Sequence, residues 1–195
     1  MNAAHKALDQ LKEGNRRFVA GKANQLNQTH KLIDNQKPFA IVLGCSDSRV
    51  PPEIVFDQGA GDLFVIRVAG NIVSPVELAG VEFAASKFGS RLVIVMGHSK
   101  CGAVQATVQA AQSEDKPEFS PGMQTIVDFI AGSVDTGISD DQSAIVDHAI
   151  CENVKESVLR ISKDSPVVQQ LMAEDGMMVV GAKYSIETGE VEFFE

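Results

Sequence analysis

Leu92-Val93-Ile94-Val95-Met96 is an unbroken apolar run, and Gly97-His98-Ser99-Lys100-Cys101 follows it directly. A run this short, with no polar alternation, reads as a strand covered on both faces, the habit of a parallel sheet. Two earlier stretches repeat the pattern. Phe39-Ala40-Ile41-Val42-Leu43 leads into Gly44-Cys45-Ser46-Asp47-Ser48-Arg49, and Leu63-Phe64-Val65-Ile66-Arg67-Val68 stands between the other two. Pro75 opens a helix that closes near Gly89, and residues 101–112 read as the next helix. Strands alternating with helices predict an α/β fold: a mainly parallel central sheet flanked by helices.

The remaining segments extend this frame. Residues 2–20 read as an amphipathic helix with Ala7, Leu8, Leu11, Phe18 and Val19 on its inner stripe, followed by a polar stretch over 21–36. Residues 113–121 are charged and contain proline, as a surface loop does. Helical periodicity returns over 123–131 and 140–162, where Ile145, Ala149, Val154, Val158 and Ile161 share a face. Ser165-Pro166 caps a short helix ending at Gly176. Residues 177–186 and 191–194 read as two strands about a turn at Thr188-Gly189, an antiparallel hairpin at the sheet edge. There is no internal repeat. The expected organisation is one domain over 1–195, with an N-terminal helical arm (1–36), a core (37–112) and C-terminal helices and edge strands (113–195).

Composition narrows the function. The chain has 195 residues, enough to bury roughly 70% of its unfolded surface without disulfide support. The formal charge of −9 disfavours nucleic acid and anionic membranes as partners, since both reward basic surfaces. No apolar run approaches the ~18 residues of a membrane span. The N-terminus runs straight into the amphipathic pattern with no signal core, so the expected location is cytoplasmic. Asn27-Gln28-Thr29 matches a glycosylation acceptor that has no meaning without secretion. Three cysteines cannot all pair with one another, and a reducing compartment keeps them as thiols free for metal binding or catalysis.

Functional groups in parallel sheets gather at the carboxyl ends of strands. Both polar clusters lie there, so loops distant in sequence can meet in one crevice. Cys45, His98 and Cys101 then form a Cys-His-Cys ligand set that selects zinc and leaves a fourth position for water. Zinc lowers the pKa of bound water from about 15.7 to about 7, which makes a hydroxide nucleophile. Cys101 opens a helix, whose dipole favours its thiolate. Cys45, Asp47 and Arg49 alternate, so an extended segment aims all three to one side. Asp47 can accept a hydrogen bond from zinc-bound hydroxide while Arg49 grips the carboxylate in a bidentate pair. Asp47 can also take the fourth zinc position and close the site.

A nucleophilic Cys45–His98 pair leaves Cys101 without a role. Asp47–Arg49 can be a plain surface ion pair. Cys151 sits in a helical stripe and reads as packing, and no motif surrounds His5, His30 or His148. Gly59-Ala60-Gly61 precedes a strand instead of following one, and no phosphate-binding glycine loop is present.

Cys45-Ser46-Asp47-Ser48-Arg49 with His98-x-x-Cys101 resembles the β-class carbonic anhydrases. The likeness continues through Val50-Pro51, Phe56-Asp57-Gln58-Gly59, Asp62 to Arg67, Ala69-Gly70-Asn71 and Gly97 to Gly102. It is close over residues 35–110. The resemblance implies reversible hydration of carbon dioxide to bicarbonate and a proton by zinc hydroxide. Cys45, His98 and Cys101 match the zinc ligands, and Asp47 and Arg49 the family's aspartate–arginine dyad. It also implies a homodimer or dimer of dimers. Gln58 and Phe83 then match pocket positions supplied by the neighbouring subunit, with Gly102 a third substrate-binding position. Some members bind inhibitory bicarbonate through Trp, Arg and Tyr. Here Arg67 and Tyr184 match the last two, but Val42 stands at the Trp position. An open site at neutral or alkaline pH is therefore expected. Two other functions stay on the table: hydrolysis of carbon disulfide or carbonyl sulfide on the same scaffold, and a non-catalytic, zinc-stabilised binding protein with a closed four-ligand site.

Overall fold

The computed structural model of the chain describes residues 2–24, 32, 36–115 and 117–194. The Asn27-Gln28-Thr29 motif, His30 and most of the polar stretch over 21–36 lie outside the described residues. The sheet has five strands in the order β2-β1-β3-β4-β5. They are β1 (Ala40–Gly44), β2 (Leu63–Arg67), β3 (Leu92–His98), β4 (Met178–Tyr184) and β5 (Val191–Phe194). The first four run parallel, and β5 turns back antiparallel on β4. Around the sheet lie α1 (Ala3–Val19), α2 (Pro52–Val55), α3 (Pro75–Phe88), α4 (Gly102–Gln112), α5 (Pro121–Ala131), α6 (Gln142–Asp164) and α7 (Pro166–Glu174).

The apolar runs behave as expected of strands buried on both faces: every residue of β1 and β3 is buried. Their side chains alternate between two cores. Val42, Ile94 and Met96 join the core beneath α1 and α4, whereas Ile41, Leu43, Val93 and Val95 join the one beneath α3 and α7. The helix α6 spans both. Its inner row repeats every four residues as Ile145, Ala149, Asn153, Ser157 and Ile161, all buried, so two polar residues sit inside an apolar stripe. Close approach of α6 to the sheet depends on glycine: a Cβ on Gly97 would stand 2.6 Å from Val154 Cγ2.

Local chemistry sets the element ends. Ser74 and Glu77 form a capping box at the start of α3, Pro75 takes its first turn, and Gly89 ends it in the left-handed region. Asn15 staples α1 to the rest. Its amide donates to Val55 O and Gly189 O and accepts from Val191 N. The expected α1 stripe holds at Ala7, Leu8 and Leu11, but Val19 at the last turn is exposed.

Candidate metal centre

The central strands β1 and β3 pair in parallel with Gly44 beside Met96, so their carboxyl ends finish side by side. Cys45 leaves the end of β1, His98 is the last residue of β3, and Cys101 is the N-cap of α4. Lys100, between the last two, adopts a left-handed backbone (φ 57°) that turns the chain from strand into helix. Cys45 Sγ, a His98 ring nitrogen and Cys101 Sγ all lie within 4.8 Å of one another, and all three residues are buried.

Each donor is held by main-chain groups. His98 Nδ1 lies 2.9 Å from Ser99 O. Only a protonated Nδ1 makes that bond, which leaves the Nε2 lone pair free. Nε2 is buried and has no hydrogen-bond partner. An orphaned buried nitrogen is costly unless something coordinates it. Ser99 is fixed in turn: its N–H donates to Tyr184 O, and its hydroxyl donates to Glu187 at 2.6 Å and accepts from Ile186 N. Cys45 Sγ accepts from Gly70 N at 3.4 Å. Gly70 belongs to a 3₁₀ turn, Ala69–Asn71, that follows β2.

The two sulfurs sit together in the buried group. The neighbouring Cys101 thiol is the largest cause pulling the Cys45 pKa down. The same contact and burial push Cys101 up. Two sulfurs beside a bare imidazole nitrogen are the donor set a divalent soft-ligand cation takes.

The dyad reading also takes shape. Arg49 Nε and Nη2 donate to the two oxygens of Asp47 at 2.9 and 2.6 Å, and the Arg49 backbone N–H adds a third bond to Oδ1. The guanidinium holds the Asp47 carboxyl well below the usual range. Asp47 stands outside the three-residue ligand group. Arg67 braces the loop by donating to Cys45 O at 2.9 Å and Asp47 O at 2.5 Å. That engagement was not foreseen from Arg67's place in the anion-site pattern. Val42, at the pattern's Trp position, is fully buried in mid-strand. Tyr184 is buried opposite His98 in the β3–β4 register.

Of the other expected site residues, Gln58 and Phe83 lie on other segments and Gly102 adjoins a ligand. Gln58 rests against α1, donating to Phe56 O and accepting from Gln10. Phe83 is on α3, half exposed, in a cluster with Phe64 and Phe88. Gly102 begins α4 directly after Cys101 and is exposed. Cys151 is half-buried and free, with burial pushing its thiol up.

A family model described as carbonic anhydrase matches residues 40–191. The chain belongs to the carbonic anhydrase family. It is 37% identical over 194 residues to a carbonic anhydrase of Mycolicibacterium smegmatis, covering 97% of this chain and 91% of that one. It is 38% identical over 191 residues to carbonic anhydrase 2 of Mycobacterium tuberculosis, covering 96% and 89%. Among solved structures, a tetrameric β-carbonic anhydrase from Sordaria macrospora superposes with a TM-score of 0.74 at 26% identity, covering 97% of this chain and 95% of that one. The chain is thus a β-class enzyme, and its buried Cys45-His98-Cys101 group could hold a metal ion.

Proposed function

We propose that this carbonic anhydrase hydrates carbon dioxide to bicarbonate with zinc held by Cys45, His98 and Cys101, and with Asp47 and Arg49 orienting the reactants. The observation that carries this reading is the convergence of two sulfurs and a buried, partnerless Nε2 within 4.8 Å. Three protein ligands leave a tetrahedral zinc one open position, the mark of a catalytic site. Bound there, zinc supplies a Lewis acid that brings a water's pKa from about 15.7 to about 7.

The chain's own residues do the rest. Asp47, kept ionised by Arg49, is an acceptor only. It takes the hydrogen bond of the nucleophile's O–H and so turns a lone pair toward the carbon. Arg49 occupies both carboxylate oxygens, which keeps Asp47 at its post and off the metal. Arg67 fixes the backbone that carries Cys45 and Asp47, limiting drift that costs rate. The site works in its open form. Gln58, Phe83 and Gly102 are assigned to the substrate pocket, with the first two reaching a neighbour's site in a homodimer or dimer of dimers. The placement of Gln58 and Phe83 away from their own chain's ligands and the half-exposed ring of Phe83 support this. The free thiols of Cys45, Cys101 and Cys151 support a cytoplasmic location. No helix among the described residues is long and apolar enough to cross a membrane.

Stopped-flow carbon dioxide hydration on zinc-loaded protein, from about pH 6.5 to 9 around the expected water pKa, tests the reading. Turnover rising with pH supports it. Absence of turnover with zinc bound rejects it in favour of the sulfur substrates. Asp47→Ala should keep zinc and lose most turnover. Loss of zinc and fold in that variant would mark a closed structural site instead.

A further inference from the structure

The helix α6 sends two polar side chains into the apolar stripe that packs on the sheet. Asn153 and Ser157 are 3% and 2% exposed and lie one helical turn apart. Asn153 Nδ2 donates to Gly70 O at 2.7 Å, and Ser157 Oγ donates to Asn71 O at 3.2 Å. Both therefore grip the 3₁₀ turn after β2. The opposite side of that turn meets the metal centre, through the Gly70 N–H bond to Cys45 Sγ. The turn is packed tightly from outside as well. Gly70 has φ 71°, and a Cβ there would stand 2.7 Å from Ile130 Cδ1 and 3.2 Å from Ala103 Cβ. A residue with no side chain has only its backbone by which to be aimed.

We propose that Asn153 is a positioning residue for the metal centre, holding Gly70 by its carbonyl so that its N–H stays on the Cys45 sulfur. The inference rests on the reading that Cys45 is a metal ligand. An N–H donor on a thiolate draws charge from the sulfur, so Cys45 gives less electron density to the ion. The ion then stays a stronger Lewis acid. Burying an amide in an apolar stripe costs free energy unless it is bonded. The bond Asn153 makes is to a turn whose Gly70 N–H lies on a ligand sulfur, and this gives the amide in the stripe a role.

The test uses the full chain loaded with Co(II), whose sulfur-to-metal charge-transfer band reports thiolate donation, and a chromophoric chelator competing for zinc. Asn153→Leu keeps the volume and removes the donor. It should shift the charge-transfer band to lower energy, raise the midpoint of the hydration pH profile and, because the sulfur is no longer held in its aim, weaken zinc binding about tenfold, the lower end for loss of an outer-shell partner. Ser90→Ala, which breaks a buried hydroxyl bond to Pro38 O just before the starts of β3 and β1, at the opposite end of these strands, serves as the control for stability loss and should leave the band in place. Equal band position and zinc affinity in Asn153→Leu and wild type would overturn the proposal and leave Asn153 a packing support. A second measurement needs no variant. In the wild-type protein loaded with cadmium-113, the Gly70 amide proton should show scalar coupling to the metal across the N–H···S bond. Absence of that coupling, with the metal bound, overturns the proposal as well. Failure of the wild type to bind any of these metals would instead overturn the metal reading on which it depends.

Discussion

Gly97→Ala tests the packing that delivers His98 to the metal centre. The added Cβ would lie 2.6 Å from Val154 Cγ2 and 3.3 Å from Ile150 Cγ2, both on α6. Carbon atoms settle at about 3.5–4.0 Å, so α6 must retreat by roughly 1 Å. The Asn153 bond to Gly70 O, now 2.7 Å, then stretches to about 3.7 Å, beyond a hydrogen bond. Overpacking costs about 1–3 kcal/mol. A buried carbonyl left without its donor costs about 1–3 kcal/mol more. Replacing glycine lowers unfolded-state entropy and returns about 0.4–1 kcal/mol. The net loss is about 3 kcal/mol, or a fall in Tm of about 6–12 °C for a chain of this size. Urea denaturation of Gly97→Ala, Val154→Ala and the double variant measures it. The double variant should be more stable than the two single losses added together imply, with a coupling of about 1 kcal/mol or more. A single variant within about 0.5 kcal/mol of wild type, or strict additivity, refutes the steric argument.

Three further outcomes follow from bonds described above. Asn15→Ala leaves Val55 O, Gly189 O and Val191 N without their partner, and should cost about 2–4 kcal/mol in urea denaturation. Lys100 and Ser99 lower the Glu187 carboxyl from 4.5 to about 2, so its contribution is full above pH 4.5 and fades as pH falls toward 2. The Tm difference between wild type and Glu187→Gln should shrink over that window, and a constant difference would contradict the assignment. In chelator-stripped protein alkylated at about pH 6, one member of the Cys45–Cys101 pair should label ahead of the other two thiols, because the pair lowers one of its thiols while burial pushes Cys151 up. Peptide mass spectrometry reads the order, and equal labelling of all three would dismiss that picture of the pair.

The three buried strands were legible because uninterrupted runs of Val, Ile and Leu have few alternatives in a short segment. Their ends were less so: β3 continues through Gly97 to His98, so the imidazole is borne by a strand and not by the loop after it. The four-residue helix α2 and the turn Ala69–Asn71 went unread, since elements that short show no periodicity. The Asp47–Arg49 pair was visible because it rests on a spacing of two residues, and the Cys45, His98 and Cys101 group because each part follows the end of an apolar strand run, where a parallel sheet gathers its functional groups. Asn153 was not, because its partner Gly70 is remote in sequence. A signal existed, however: an amide and a hydroxyl at every-fourth positions of an apolar stripe are out of place unless they hold something. Arg67 stood out only through the resemblance, as the arginine of the anion-site pattern, and only the fold shows that its guanidinium is spent on two carbonyls.

The pairing of Gly44 with Met96 has a consequence for assembly. Sliding β1 by one residue against β3 would displace Cys45 by about 3.3 Å and turn it to the other face. A misaligned chain would keep only His98 and Cys101, two donors where three are needed. On the proposed ligand set, metal stoichiometry therefore counts the molecules whose strands have locked in the right alignment.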